Sequence, residues 1–156
     1  MKRQATKLFG TWLGVLLSGT CFSAAAHEQL AMAQEGKGIT VRVLLYSGKP
    51  DPSYVLEEGV LTSEIKAMIA KAEVVSVPAG ESVIPAILGY KGIVVQNPGR
   101  AAGLPSRISV YKERMEVIDE KKRTLLDRGG ALEKTLLDEA IRRGLIEKSI
   151  VERMKK

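Results

Sequence analysis

The chain has 156 residues, a formal net charge of +6, and only one cysteine, one histidine and one tryptophan. One cysteine cannot form an intramolecular disulfide, and a lone histidine with a lone cysteine supplies too few donors for a zinc or copper site within the chain. We therefore predict no bound metal and no cofactor. The length of the chain predicts a single domain with a modest core.

The N-terminal segment has the pattern of a bacterial export signal. It contains, in order, three basic residues, an apolar run and a stretch of small residues: Lys2, Arg3, Lys7, 8–17 and 23–26. The apolar run is too short and too early for a stable membrane span. We predict cleavage after Ala26, or alternatively after Ala33, with no lipid on Cys21. The mature protein is then periplasmic or secreted.

Cleavage changes what the composition means. The signal carries three of the basic residues, so the mature net charge falls to about +3. Segment 100–156 holds fifteen Lys and Arg against ten Asp and Glu. This excess favours an anionic partner, with a solvated helical surface as the alternative. Export argues against nucleic acid as the partner.

After the signal, the pattern predicts a flexible leader over 27–38 and a sheet-containing core over 39–127. The β-branched segment 40–46 predicts the first strand, and a dense set of turn residues follows it. Thr62 or Ser63 is the expected cap of a helix with Glu64 in its first turn. One apolar stripe marks that helix: Ile65, Met68, Ile69 and Ala72.

Further strands are expected at 89–96, 107–111 and 115–118, with segment 74–77 either a short strand or an extended exit from the helix. Segment 119–122 is interpreted as a turn leading into 124–126. The C-terminal segment 128–156 predicts two helices, the first with an apolar face and the second shorter. The apolar faces comprise Leu132, Leu136, Leu137, Ala140, Ile141, Ile146, Ile150, Val151 and Met154.

These elements predict an α+β fold. We expect one small domain with a mixed or antiparallel sheet of about four to five strands, covered by helices and closed by a C-terminal helical hairpin. Asp127 is a candidate cap for the first C-terminal helix, and Gly144 a natural residue just beyond its end.

Three stretches together resemble a set of small uncharacterised bacterial exported proteins with the pattern YSGRPNPSW, LGYRGFVV and VY: residues 45–54, 88–95 and 109–111. Where those proteins have arginine, asparagine and tryptophan, this chain has Lys49, Asp51 and Tyr54. The resemblance covers roughly 70 residues in patches and implies no known activity.

The turn segment between the first strand and the helix is the first candidate site. Pro50 and Pro52 stiffen it, and Gly48 lets a ligand approach the backbone. Its polar and aromatic candidates are Tyr46, Ser47, Lys49, Asp51 and Tyr54. We expect the side chains of Lys49 and Asp51 to project into solvent. In the alternative interpretation, the loop is a rigid connection whose tyrosines supply the missing large core residues.

Asn97, Arg100 and Arg107 are the second part of the candidate site. They follow or precede predicted strands and are expected at a neighbouring sheet end, where guanidinium groups suit a carboxylate or phosphate. Ordinary loop solubility is the alternative.

No catalytic constellation is recognisable. Neighbouring acids such as Glu57 and Glu58 point in different directions, and no histidine or cysteine lies inside the predicted fold. The first hypothesis is an exported binding or assembly module that presents the proline-rich loop to a protein or a small anionic molecule. The second is a small hydrolase or isomerase that uses Tyr, Lys and Asp. The third is a structural envelope subunit, with an oligomer formed through the C-terminal helices.

Overall fold

The computed structural model describes residues 38–45, 48–78 and 80–154. The predicted export signal and the leader up to residue 37 lie outside these ranges, as do Tyr46 and Ser47. Within the described ranges, no helix is long and apolar enough to cross a membrane.

A seven-stranded antiparallel sheet forms the centre of the molecule. Its strands are β1 (Ile39–Leu44), β2 (Ser53–Leu56), β3 (Glu73–Val75), β4 (Gly92–Gln96), β5 (Arg107–Tyr111), β6 (Arg114–Ile118) and β7 (Lys122–Leu126). They lie in the order β2-β1-β4-β5-β6-β7-β3, and each neighbouring pair is antiparallel. The α+β class is confirmed, but the expected count of four to five strands is wrong.

Two strands were not predicted because their sequences carry turn-like signals. Strand β2 begins directly after Pro52, inside the segment interpreted as a loop, yet its residues alternate between exposed and buried. Strand β7 begins at Lys122, the last residue of the segment interpreted as a turn, and continues with the charged Arg123. Pairing with β1 and with β6 holds these segments extended in spite of their local composition.

In the described part of the chain, three α-helices accompany the sheet: α1 (Val60–Lys71), α2 (Ala131–Arg142) and α3 (Lys148–Met154). The predicted cap of α1 is wrong, because the helix begins one turn earlier with Gly59 as its N-cap. The hydroxyl of Thr62 donates to the Gly59 carbonyl at 2.8 Å and accepts from the Gly59 N–H at 2.9 Å. Glu64 consequently lies beyond the first turn.

The core lies between one face of the sheet and helices α1 and α2. Alternate residues of the central strands point into it, among them Val41, Val95 and Val117, all without solvent exposure. Ile65 of α1 and Leu136 of α2 are equally buried against them. The predicted apolar stripes of both helices are therefore confirmed. Aliphatic side chains supply nearly all of this core.

The expected N-terminal cap of helix α2 is wrong, because Gly130 and not Asp127 is its N-cap. The Asp127 carboxylate still accepts from the Leu132 N–H at 2.8 Å, which satisfies a donor of the first turn. Gly144 follows the helix with a φ of 70°, a conformation that favours glycine. Helix α3 then packs Val151 against the core. Ile146, in the segment that connects α2 to α3, is also buried in the core.

The connection from β3 to β4 crosses the other face of the sheet. Its Glu81 carboxylate pairs with Arg114 at 2.8 Å, and its Glu81 carbonyl accepts from Lys122 at 3.0 Å. Further along, Ile84 approaches Gly92 so closely that a Cβ there would lie 3.1 Å from the isoleucine and 2.2 Å from the Val110 carbonyl oxygen. The connection thus carries the chain from the β3 edge to the middle of the sheet.

Candidate functional site

The proline-rich loop is tied to the end of β1 by one of its own predicted site residues. Asp51 Oδ1 accepts a hydrogen bond from the Leu45 N–H at 2.9 Å, and Asp51 is half-buried. The expectation that this carboxylate projects into solvent is therefore wrong, because it satisfies a backbone donor. Lys49 is exposed as expected, and Tyr46 and Ser47 lie outside the described residues.

Tyr54 is part of the core. Its side chain is 6% exposed, and its hydroxyl donates to the Leu136 carbonyl of α2 at 2.9 Å. Burial is the largest cause that raises its pKa, followed by the charge of Glu139. The alternative interpretation, in which the loop tyrosines pack as core residues, is confirmed for Tyr54, although Tyr54 lies in strand β2 and not in a rigid loop.

Asn97 organises the loop after β4. Its amide nitrogen donates to the carbonyls of Ala101 and Leu104, and its amide oxygen accepts from the Ala101 N–H at 2.9 Å. The residue is 1% exposed, so its polar groups serve the loop. Arg100 pairs with Asp119 at 3.1 Å on the surface, while Arg107 is exposed at the start of β5.

The two halves of the predicted site lie at opposite ends of the sheet. Strands β1 and β4 pair with Leu44 opposite Gly92 and Thr40 opposite Gln96. The proline-rich loop follows Leu44, whereas Asn97 follows Gln96 at the other end of the same pair. With a rise of about 3.3 Å per residue, four residues separate the ends by roughly 13 Å. The expected neighbouring arrangement is wrong.

The structure instead has a cavity of about 640 Å³ at the end of the sheet nearer the proline-rich loop. Its apolar wall combines the residue after β1, the β3–β4 connection and helices α2 and α3: Leu45, Ile87, Leu88, Leu137, Ile150 and Val151. Its polar residues come from the same connection, the β5–β6 hairpin and both helices: Tyr90, Tyr111, Lys112, Glu133 and Arg153. The cavity is thus assembled from segments far apart in sequence.

Tyr90 and Glu133 form the best-defined polar contact of this cavity. The Tyr90 hydroxyl donates to Glu133 Oε1 in a short hydrogen bond. Burial of the ring, and then this hydrogen bond, raise the pKa of Tyr90 well above its ordinary value. Around neutral pH the phenol therefore stays protonated and serves as a hydrogen-bond donor.

Two further side chains extend this group. The Tyr111 ring lies 6.1 Å from the Tyr90 ring, tilted by 40°, within the usual range of aromatic pairs. Lys112 Nζ lies 5.3 Å from the centre of the Tyr111 ring, a distance typical of a cation–π contact. An aromatic pair with one ammonium group thus borders the cavity.

The three stretches that carry the family resemblance meet at this cavity. Leu45 comes from the first, Leu88 and Tyr90 from the second, and Tyr111 from the third. The sequence alone predicts the site elsewhere, although all four residues lie in stretches that carry the resemblance. No sequence pattern indicated Lys112, Glu133 or Arg153. The only sequence feature that pointed to the cavity was that these three stretches occur together in the proteins that the chain resembles.

Comparison of the chain with family models, with curated proteins and with solved structures gives no match. The resemblance to small exported proteins therefore stays a prediction. In the described part of the chain, no group of three or more His, Cys, Asp or Glu residues is arranged to hold a metal ion.

Proposed function

We propose that the protein is an exported binding module whose site is the cavity at the end of the sheet. The observation that carries this proposal is the cavity itself, an open cleft of about 640 Å³ lined by aliphatic side chains and a few polar groups. Small-molecule sites in proteins commonly have volumes of 300–1,000 Å³ and this kind of lining. The proline-rich loop adjoins the site but is not its main surface.

Exposed apolar side chains at the cavity support a ligand rather than simple packing. Leu88 is 88% exposed and Ile87 is 48% exposed, although both line the cavity. Neighbouring leucine and isoleucine side chains left in water are a characteristic of binding surfaces. A ligand with an apolar body would cover them. The ligand is thus a small molecule with both apolar and polar parts.

Export of this module rests on the N-terminal sequence alone. The basic, apolar and small-residue segments lie outside the described residues, so their role stays a prediction. The anionic partner expected from the charge of segment 100–156 is compatible with the two cationic groups at the cavity.

One observation supports the alternative hypothesis of a small hydrolase or isomerase: Tyr90, whose pKa is shifted, lines the cavity. The pKa of Tyr90 is raised, so the phenol stays protonated. A protonated phenol does not serve as a base or nucleophile. Asp51, the aspartate of the candidate loop, is engaged with the Leu45 N–H. Binding therefore explains the geometry of the Tyr90 and Glu133 pair better than catalysis does.

The structural-subunit hypothesis, with an oligomer formed through the C-terminal helices, also stays a prediction. Leu132, Leu136 and Ala140 of α2 are buried within the chain itself. A partner would therefore contact the outer surface of these helices rather than their apolar stripe.

Titration with N-phenyl-1-naphthylamine, an uncharged apolar dye whose fluorescence rises in apolar surroundings, tests the binding function. We expect saturable binding by the mature protein and loss of it in Ile150→Trp, which fills the cavity with an indole ring. Val60→Trp is the matched control, because Val60 is 77% exposed and does not line the cavity. Absence of dye binding, or equal binding by Ile150→Trp, would contradict the proposal.

A further inference from the structure

The charged residues of the cavity have different surroundings. Glu133 accepts the hydrogen bond of Tyr90. Lys112 and Arg153 line the same cavity, and neither forms an ion pair with the other described residues. The side chains of Lys112 and Arg153 therefore remain available to a ligand, whereas the Glu133 carboxylate already accepts a hydrogen bond from Tyr90. Such an arrangement attracts a negatively charged ligand group.

Lys112 has a backbone conformation that lysine rarely adopts. It is the first residue of the two-residue turn between Tyr111 and Arg114, and its φ is 54°. Glycine or asparagine usually takes a hairpin position with a positive φ. A side chain with a Cβ is strained there, and retained strain of this kind often accompanies function.

Neighbouring backbone contacts hold the hairpin in this position. The Glu113 carbonyl accepts from the Asp127 N–H at 2.6 Å, and the Glu113 carboxylate accepts from the Gly129 N–H at 3.1 Å. The Lys112 carbonyl oxygen lies 3.3 Å from the point where a Cβ on Gly130 would be. The turn is therefore fixed against the start of α2, and the Lys112 ammonium lies beside the Tyr111 ring.

We propose that the ligand is an amphipathic anion, an aliphatic chain that ends in a carboxylate, and that Lys112 selects it. This inference rests on the proposed binding function of the cavity. The aliphatic wall contacts the chain, and the Lys112 ammonium contacts the carboxylate beside the Tyr111 ring. Arg153 adds a second positive charge, and the Tyr90 hydroxyl remains bonded to Glu133.

Competition between three eight-carbon compounds tests the selection. Octanoate, 1-octanol and octylamine share a chain and differ in the charge of the head group. Each is titrated against the mature protein carrying N-phenyl-1-naphthylamine at constant pH and ionic strength. We expect octanoate to displace the dye at roughly a fifth of the octanol concentration, the ratio that one partly exposed ionic contact supports. Octylamine should be the weakest.

Variants at the hairpin identify the residue responsible. Lys112→Gly removes the charge and also relieves the positive φ, so its urea midpoint should be unchanged or higher while the octanoate preference disappears. Lys112→Asn should behave similarly, and Lys112→Arg should keep the preference. Lys134→Ala is the matched control, since this exposed lysine on α2 does not line the cavity.

The outcomes separate this inference from the binding function. Equal displacement by octanoate and octanol, or a preference that survives in Lys112→Gly, would overturn the proposed selection while dye binding still supports the cavity as a site. If the dye does not bind at all, the binding function is wrong and the selection by Lys112 is wrong with it.

Discussion

The guanidinium group of Arg143 lies over the ring of Tyr54, with 4.8 Å between its central carbon and the ring centre. The same group donates to the Val55 carbonyl of strand β2 at 3.0 Å. Its Nε atom donates to Glu139 at 2.6 Å. Arg143, the residue that caps the end of α2, thus contacts both a ring and a carbonyl of the four-residue edge strand β2, and its charged group covers the edge.

Tyr54 should be essential for stability through its ring more than through its hydroxyl. Tyr54→Ala removes a buried ring, so we expect a loss of about 3–5 kcal/mol in the free energy of unfolding. Tyr54→Phe loses only the hydrogen bond to Leu136 and should cost about 1 kcal/mol. Urea denaturation measures both values. Equal losses for the two variants would show that packing of the ring contributes little.

Glu139 should make the free energy of unfolding depend on pH. Hydrogen bonds from Arg142, and then from Arg143, lower its pKa from 4.5 to about 2. The carboxylate therefore stabilises the folded state above the unfolded pKa, and this contribution is lost as the pH falls towards 2. The stability difference between the parent and Glu139→Gln should shrink across that window. Thermal melts from pH 6 to pH 2 measure it, and a constant difference would contradict the assignment.

Leu137 should contribute to the core although it also borders the cavity. It is 3% exposed on α2, so Leu137→Ala should lower the free energy of unfolding by about 2–5 kcal/mol. Leu145→Ala is a matched control, because Leu145 is 39% exposed just beyond the helix and should cost much less. Urea melts compare the two, and an unchanged midpoint for Leu137→Ala would place that face at the surface.

Lys49 and Asp51 should differ in their effects on stability. Lys49→Ala alters an exposed side chain and should leave the melting temperature nearly unchanged. Asp51→Ala leaves the half-buried Leu45 N–H without its acceptor, which should cost about 1–3 kcal/mol. Differential scanning calorimetry of the single variants separates them. If Asp51→Ala melts like the parent, the hydrogen bond contributes nothing measurable.

The exported protein should begin at His27 or at Gln34. Signal peptidases cut after small residues, and Ala26 and Ala33 precede these two positions. Intact-mass spectrometry of protein recovered from a bacterial periplasm gives the first residue directly. A species that keeps Cys21 with added acyl mass would show lipid attachment and overturn this prediction.

The apolar faces of the helices and the β-branched strands were predictable because their periodicity reflects burial directly. Ile65, Leu136 and Val95 illustrate this, each without solvent exposure. Strand β2 was not predictable because Pro52 and Ser53 carry turn chemistry up to its first residue. Its extended state depends on pairing with β1, which local sequence does not encode.

The site was less predictable than the fold for a similar reason. Asp51 and Asn97 have the side chains that a ligand would use, but short polar side chains in loops also satisfy the loop's own backbone groups. The cavity, in contrast, depends on Leu45, Tyr90 and Leu137 meeting in space. Only tertiary packing brings them together, so no spacing along the chain indicates it.

The placement of β4 between β1 and β5 has a consequence for how the chain folds. Strands β4 to β7 form a meander of consecutive neighbours, and β1 with β2 forms a hairpin, so each unit needs only short loops to close. The β1–β4 pair instead joins residues roughly fifty positions apart. Because closing so long a loop is entropically costly, we expect it to form late. Until it does, β1 and β4 each have an unpaired edge, and the cavity does not yet exist.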